Sequence, residues 1–394
     1  LLSRGLGDVY KRQTKSRAVA VVEKSSFAAA NMTIMSEPTT PTSQAHDSGA
    51  SANVIATVET EIRQTARFPT RWTAISSALV VLLCVLALIL VPIPFVARSP
   101  GQTVNLLSTN ERGKPMIQVD GLTTRHGEGE MRMTTVSITR ADSRLSMAEA
   151  LVAHLRADHD VLQREAIYPP GRSPQQVDAD ESYMMDTSER DAAVAALRAA
   201  GQPVTEMPMV SAVSAAGPAH GKLAPGDLIE KVDGKPMASV LDVGKAVRKH
   251  TVGDTVVFVV LRNSSVKTIA VTTVSSVSDR RAPAVGVTID TGYRYTPTIT
   301  YNIPGDIVGP SAGLAMALSI YQMVAPNDLI GSLRIAGTGG ISPDGNVVAI
   351  GGIQEKIAGA ERDGAKIFLV PAGNCRDISG VETSMRLVKV SSLK

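Results

Sequence analysis

The chain has 394 residues, 44% of them hydrophobic and 20% charged, with 40 basic against 37 acidic residues and a formal net charge of +3. That length suits two or three packed domains and excludes a disordered or fibrous protein. Charges spread along the whole length and only 3% aromatic residues give no support to nucleic-acid binding, and two cysteines, Cys84 and Cys375, provide neither a disulfide framework nor a metal site.

The chain opens on Leu1, and Met32 or Met35 would be reasonable native starts, so residues 1–31, with their leader LLSRGLGDVYKRQ, are expected to be non-native. Residues 36–58, rich in Ser, Thr, Pro, Ala and Gln, make residues 1–71 a predicted disordered cytoplasmic tail. From Trp72 to Ala97 there is no charge, and Ala78 to Val91 is unbroken apolar sequence, enough for the roughly 20 residues that cross a bilayer. A buried globular helix would be shorter and would carry a polar face. A cleaved signal peptide would want a small residue where Phe95 stands. A retained transmembrane helix over 72–97 is the reading. Arg63, Arg67 and Arg71 precede the span, and Arg98 is the lone basic residue just after it. The predicted topology is therefore single-pass in the cell membrane, N-terminus cytoplasmic and the remainder extracytoplasmic.

Residues 98–202 read as a juxtamembrane α+β region of no assignable function. Strands are predicted at Met116 to Val119 and Met131 to Ile138, with helices at Met147 to Leu155, opened by Ser146, and Ser188 to Ala200. From residue 203 to 280 short strands and turns follow: Met207 to Val213, a Pro225-Gly226-Asp227 turn, Leu228 to Val232, and a tight turn at Asp233-Gly234. A helix Ser239 to His250, capped by Ser239 and Asp242, precedes strands Thr255 to Leu261 and Lys267 to Val274.

Residues 281–394 alternate strands (Ala284 to Ile289, Thr296 to Ile303, Leu333 to Ala336, Val347 to Ile350, Ile367 to Val370) with two helical patterns, Ser311 to Met323 and Gly352 to Asp363, an α/β domain. The first helix opens with GPSAG, Gly309 to Gly313. A serine there is often only a helix cap, but the same position collects unpaired N–H groups and the positive end of the helix dipole, which would stabilise an oxyanion. The segment holds no His, so a Ser-His-Asp triad confined to it is excluded. Lys356 lies beside the apolar stripe Ile353, Ile357 and Ala360 and can point partly inward, although most helix lysines face solvent.

Two resemblances add to this. VSAAGPAHGKLAPGDLIEKVDGKP resembles a bacterial-protease PDZ domain, a β-rich module that binds an extended peptide as an added strand. This implies peptide contacts from Met207 and Met209, although the Gly-hydrophobic-Gly-hydrophobic signature is absent before them. GPSAGLAMALSIY, TGGISPDGNVVAIGG and GGIQEK, in that order with Ser311 and Lys356 45 residues apart, resemble the Lon proteolytic domain, peptidase family S16. The whole order, one span, PDZ, Lon-type domain, resembles the bacterial membrane-anchored Lon-like serine proteases. That resemblance implies a Ser311–Lys356 dyad supported by Thr338, Gly309 and Ala312, and a ring-shaped homo-oligomer, such as a hexamer. ATP-dependent members carry an acid directly before GPSAG, where this chain has Val308.

Lys356 must be neutral to act as a base, and lowering a lysine from about 10.4 to ~7–8 costs about 3–5 kcal/mol. Burial without a carboxylate partner could supply that shift. GPAHGK at Gly217 to Lys222 does not fit a phosphate-binding loop. The expected enzyme is therefore an ATP-independent endopeptidase needing no cofactor or metal. Its substrates would be protein or peptide segments in extended form, held along Tyr301, Asn302 and Ile303. A non-catalytic membrane PDZ adaptor on a degenerate protease scaffold is the alternative.

Overall fold

The structure is a computed structural model that describes residues 70–277 and 279–393. The predicted tail and the leader therefore lie almost wholly outside the described residues. Among those described, the chain forms two compact units. One comprises residues 70–96 with Ser143–Ala153 and Val161–Pro170; the other comprises Ala97–Asp142, His154–Asp160 and Gly171–Lys394.

In the smaller unit, helix α1 spans Thr70–Leu90, and its stretch Arg71–Leu90 is long and apolar enough to cross a membrane by length and composition. The helix stops short of the predicted Ala97. Pro92 and Pro94 follow within four residues; proline removes a backbone donor and pushes its predecessor out of the helical region, so an uncharged run is not an uninterrupted helix. The same unit holds the helix Met147–His154, whose Ser146 opening is a reciprocal cap. Glu149 N donates to Ser146 Oγ, and Ser146 N donates back to Glu149 Oε2.

In the larger unit, strands β1 (Phe95–Asn105, entering from the smaller unit), β2 (Ile117–Asp120) and β3 (Glu130–Ile138) lead to the long helix α2 (Pro174–Ala199). The predicted helix began at Ser188. The true start is fourteen residues earlier, at a capping box that Ser173 forms with Gln176, because a polar amphipathic half precedes the alanine-rich one. Next come β4 (Thr205–Val213), β5 (Leu228–Val232), α3 (Val240–Val247), β6 (Thr255–Arg262), β7 (Ser265–Thr272) and β8 (Val287–Arg294). The final stretch contains β9 (Thr298–Tyr301), α4 (Gly313–Val324), β10 (Arg334–Gly337), α5 (Ile353–Arg362), β11 (Ile367–Pro371) and β12 (Arg386–Val390).

Two sheets organise these elements. In the first, strands run in the order β7-β6-β5-β4-β8 around a core of Val210, Ile229, Val243, Val256 and Phe258. In the second, the order β12-β11-β10-β3-β1 is parallel from β12 to β3 and antiparallel between β3 and β1. Helix α5 packs on the second sheet through Ile353, Ile357, Ala360, Phe368 and Val370. Helices α4 and α2 share another core with Met131, Met133, Leu314, Ile320 and Ala192.

The pairing runs across both boundaries drawn from sequence. Residues 98–202, expected as a separate region, supply β1 and β3 to the same sheet as β10 and β11. Strand β8, beyond the expected boundary at residue 280, pairs with β4 along eight residues. Local patterns show where a strand is, but a strand's partner is set by which edge is free and which face is apolar.

Candidate active site

Gly309 has φ of +100°, a region open to glycine at little cost. Pro310 follows with its φ fixed by its own ring, and Pro310–Ala312 form a 3-10 turn that feeds α4. Ser311 is thus not the cap of α4; Ala312 occupies that position, without a side-chain cap bond. The turn is stitched to the end of β10: Gly339 N donates to the Ser311 carbonyl at 2.9 Å and Leu314 N donates to the Gly339 carbonyl at 2.9 Å. Gly313 allows this close packing, since a Cβ there would stand 3.0 Å from the Ile341 backbone nitrogen and 3.1 Å from Ser188 Oγ of α2.

Lys356 enters from α5. Its side chain is only 2% exposed, and its Nζ lies 2.6 Å from Ser311 Oγ and 3.1 Å from Thr338 Oγ1. Burial, helped by the Arg98 guanidinium and opposed by Glu355, lowers its pKa to about 7. The neighbouring carboxylate does not neutralise it: Glu355, also 2% exposed, accepts from Arg98 Nε at 2.8 Å. A lysine of this kind is neutral in about half of the molecules near pH 7, and a neutral amine can accept the proton of a hydroxyl in hydrogen-bond reach. Ser311, Lys356 and Thr338 are therefore brought together, with Gly309 and Ala312 flanking the serine.

The other predicted positions are employed differently. Tyr301 Oη donates to the Glu189 carbonyl at 2.7 Å, and burial holds its phenol well above its ordinary value. Asn302 N donates to the Met116 carbonyl and Asn302 Nδ2 to the Pro115 carbonyl, both at 2.8 Å. Ile303 packs against the core. The side chains of Tyr301 and Asn302 thus anchor β9 instead of facing a ligand. Among the described residues, β9 pairs with β2 and with no strand on its other side. Met207 and Met209 sit in β4, which has β8 on one side and β5 on the other, so its backbone cannot take an added strand. Among the described residues the edge belongs to β8, beside α3, and the Val285-Gly286-Val287-Thr288-Ile289 run that opens it sets one glycine between two valines.

No sequence motif marks Arg98 or Ser188 as a neighbour of the site. Arg98 follows an apolar run and reads from sequence only as a topology marker, while the small-residue run DAAVAALRAA of α2 was a visible sign of close helix packing.

Residues 275–392 match the family model of the Lon protease (S16) C-terminal proteolytic domain, and residues 188–273 match that of the PDZ domain. The chain therefore carries a PDZ domain followed by a proteolytic domain of the Lon type, a class of serine-type peptidase. The Lon protease of Neorickettsia sennetsu is 37% identical over 89 residues, 22% of this chain and 10% of that protein. The mitochondrial Lon protease homolog of Phaeodactylum tricornutum is 45% identical over 69 residues, 18% of this chain and 8% of that protein. The chain thus spans about a tenth of the length of these curated relatives. Among solved structures, the PDZ domain of an SdrC-like protein from Listeria monocytogenes is 24% identical and covers 21% of this chain and 86% of that one, with a TM-score of 0.20. Family matching and packing cross over at both ends of the PDZ segment. Residues 188–199 fall in the PDZ match but lie on α2 against α4, whereas β8 falls in the proteolytic match but pairs into the PDZ sheet.

Proposed function

We propose that this protein is a serine endopeptidase in which Ser311 attacks the peptide carbonyl and Lys356 is its general base. The observation that carries the reading is the 2.6 Å separation of Lys356 Nζ and Ser311 Oγ around a buried amine whose neighbouring carboxylate, Glu355, is bonded to Arg98. The hydroxyl proton passes to Nζ as Oγ adds to the carbonyl, and the positive N-terminal end of α4 stabilises the developing oxyanion. The lysine ammonium then protonates the leaving amine, and the neutral lysine activates the water that releases the acyl group. Thr338 orients the amine, and the substrate segment lies extended along the open edge of β9.

The PDZ domain, on this reading, captures or gates substrate at the edge of β8 beside α3, not at Met207 and Met209. The enzyme works without ATP, is held in the cell membrane by α1 with the peptidase outside the cytoplasm, and assembles as a ring, with a hexamer implied by resemblance. Casein hydrolysis and fluorophosphonate labelling by the full chain, compared with Ser311→Ala, test the catalytic reading. Loss of both in the variant is expected. Equal signals in the two proteins would instead favour a non-catalytic adaptor.

A further inference from the structure

Arg98 lies in β1, far from Ser311 and Lys356 in sequence, yet its guanidinium crosses the start of the lysine helix. Its Nε donates to Glu355 at 2.8 Å and its Nη2 to Asp160 at 2.6 Å. The helix start is shaped to admit it. Gly352 has φ of +72°, and a Cβ there would stand 3.3 Å from Arg98 Cδ and Nε and 2.9 Å from Val136 Cγ1. A Cβ on Gly351 would lie 3.6 Å from Arg98 Nη1. The clamp continues along the same pair of elements, where Thr103 of β1 donates through both N and Oγ1 to Asp363 at the end of α5, and Arg362 Nη2 donates to the Gly101 carbonyl at 2.7 Å.

We propose that Arg98 is a positioning residue for Ser311 and Lys356: held between Glu355 and Asp160, it fixes the start of the lysine helix and keeps one positive charge beside the amine. The proposal rests on the catalytic reading above. It deepens that reading by assigning opposite effects to two residues that touch neither substrate nor Ser311. Arg98 disfavours the ammonium and Glu355 favours it, and their ion pair keeps Glu355 turned away from the lysine. The charges on the elements packed against α5 are few. Glu130 and Arg132 of β3 pair with each other at 2.6 Å, and Glu130 also pairs with Arg334 of β10. Strand β11 carries no charge, and the elements bearing Ser311 and Thr338 face Lys356 with hydroxyls.

The test is the pH profile of kcat/KM for casein-derived fluorogenic peptide hydrolysis by the full chain in detergent. Arg98→Gln should move the acid limb up by about one pH unit, the effect of one nearby charge. Glu355→Gln should move it down, and the double variant should fall between the two. Because Arg98→Gln leaves a buried carboxylate unpaired and can impair folding, Arg98→Lys and the double variant are measured beside it; Arg98→Lys should keep the wild-type midpoint. Unchanged midpoints with uniformly lower rates in both single variants would overturn the proposal. Should Ser311→Ala hydrolyse as fast as wild type, the catalytic reading fails by itself. The charge effect is then judged from the Lys356 ε-carbon shift against pH in 13C-lysine protein, assigned with Lys356→Met. There the same order of midpoints supports the proposal, and coincident midpoints overturn it.

Discussion

The Thr338 hydroxyl receives the Lys356 ammonium at 3.1 Å and has a second contact, also 3.1 Å, through which it donates to the Ser311 carbonyl. One buried hydroxyl thus fixes the direction of the amine and the turn that carries the serine. Thr338→Val keeps the shape and removes both bonds. It should lower kcat about 10- to 100-fold, corresponding to roughly 1.4–2.8 kcal/mol, whereas Thr338→Ser should retain most activity. Steady-state peptide hydrolysis with a circular-dichroism check of folding decides between them.

The buried lysine makes a prediction about rate against pH. With its pKa lowered to about 7 by burial and by Arg98, the amine is unprotonated above that pH. The kcat/KM for Ser311-dependent hydrolysis should climb through an inflection near 7 and level off above about 8. A profile flat from pH 5 to 9 would contradict a lysine base.

The same shift predicts stability. Between about 7 and 10.5 the unfolded chain binds a proton that the folded chain does not, so this residue makes stability rise with pH across that window. Its cost is full below the folded value, about 5 kcal/mol at roughly 1.4 kcal/mol per unit, and vanishes above the unfolded one. Lys356→Met should therefore be inactive yet more stable by a few kcal/mol at pH 7, with the difference shrinking toward pH 10. Urea denaturation at both pH values measures it.

In the PDZ domain, Asp227 is fully buried and accepts from Arg262 Nε at 2.5 Å and Nη2 at 2.6 Å. It also accepts from the Ala224 backbone N–H at 2.9 Å. Asp227→Ala takes the carboxylate from a partly exposed arginine, which keeps its bond to the Lys222 carbonyl, and frees the turn, and should destabilise this domain by about 1.5–3 kcal/mol. Thermal melts followed by proteolysis would localise the loss to residues 203–294.

Gly286 begins the run into the edge strand at φ of +73°, and a Cβ there would approach Gly217 Cα to 2.8 Å. Gly286→Ala combines an unfavourable backbone conformation with a backbone clash and should cost at least about 2 kcal/mol. Peptide affinity at the β8 edge should fall with it, which fluorescence anisotropy on a peptide that wild type binds would record.

Much of the fold was legible because local rules suffice for it. Leu228–Val232 was read to the residue because turn signals bracket it, and Ser239 caps α3 by accepting from Asp242 N, as the spacing suggested. Strands β1 and β12 escaped notice. Strand β1 follows an apolar helix and contains Pro100 and Gly101, where its register slips; β12 is short and gains its place only by pairing with β11.

By itself the sequence determined the ordered motifs: the GPSAG turn, the lysine 45 residues later, the absence of histidine in that segment, and the PDZ stretch before it. What tertiary structure alone decided was environment. Burial of Lys356, the turning of Glu355 toward Arg98 and the placement of β8 at a sheet edge all depend on residues distant in the chain. A side chain's charge state and a strand's open edge are properties of surroundings, and surroundings exist only once the chain has packed.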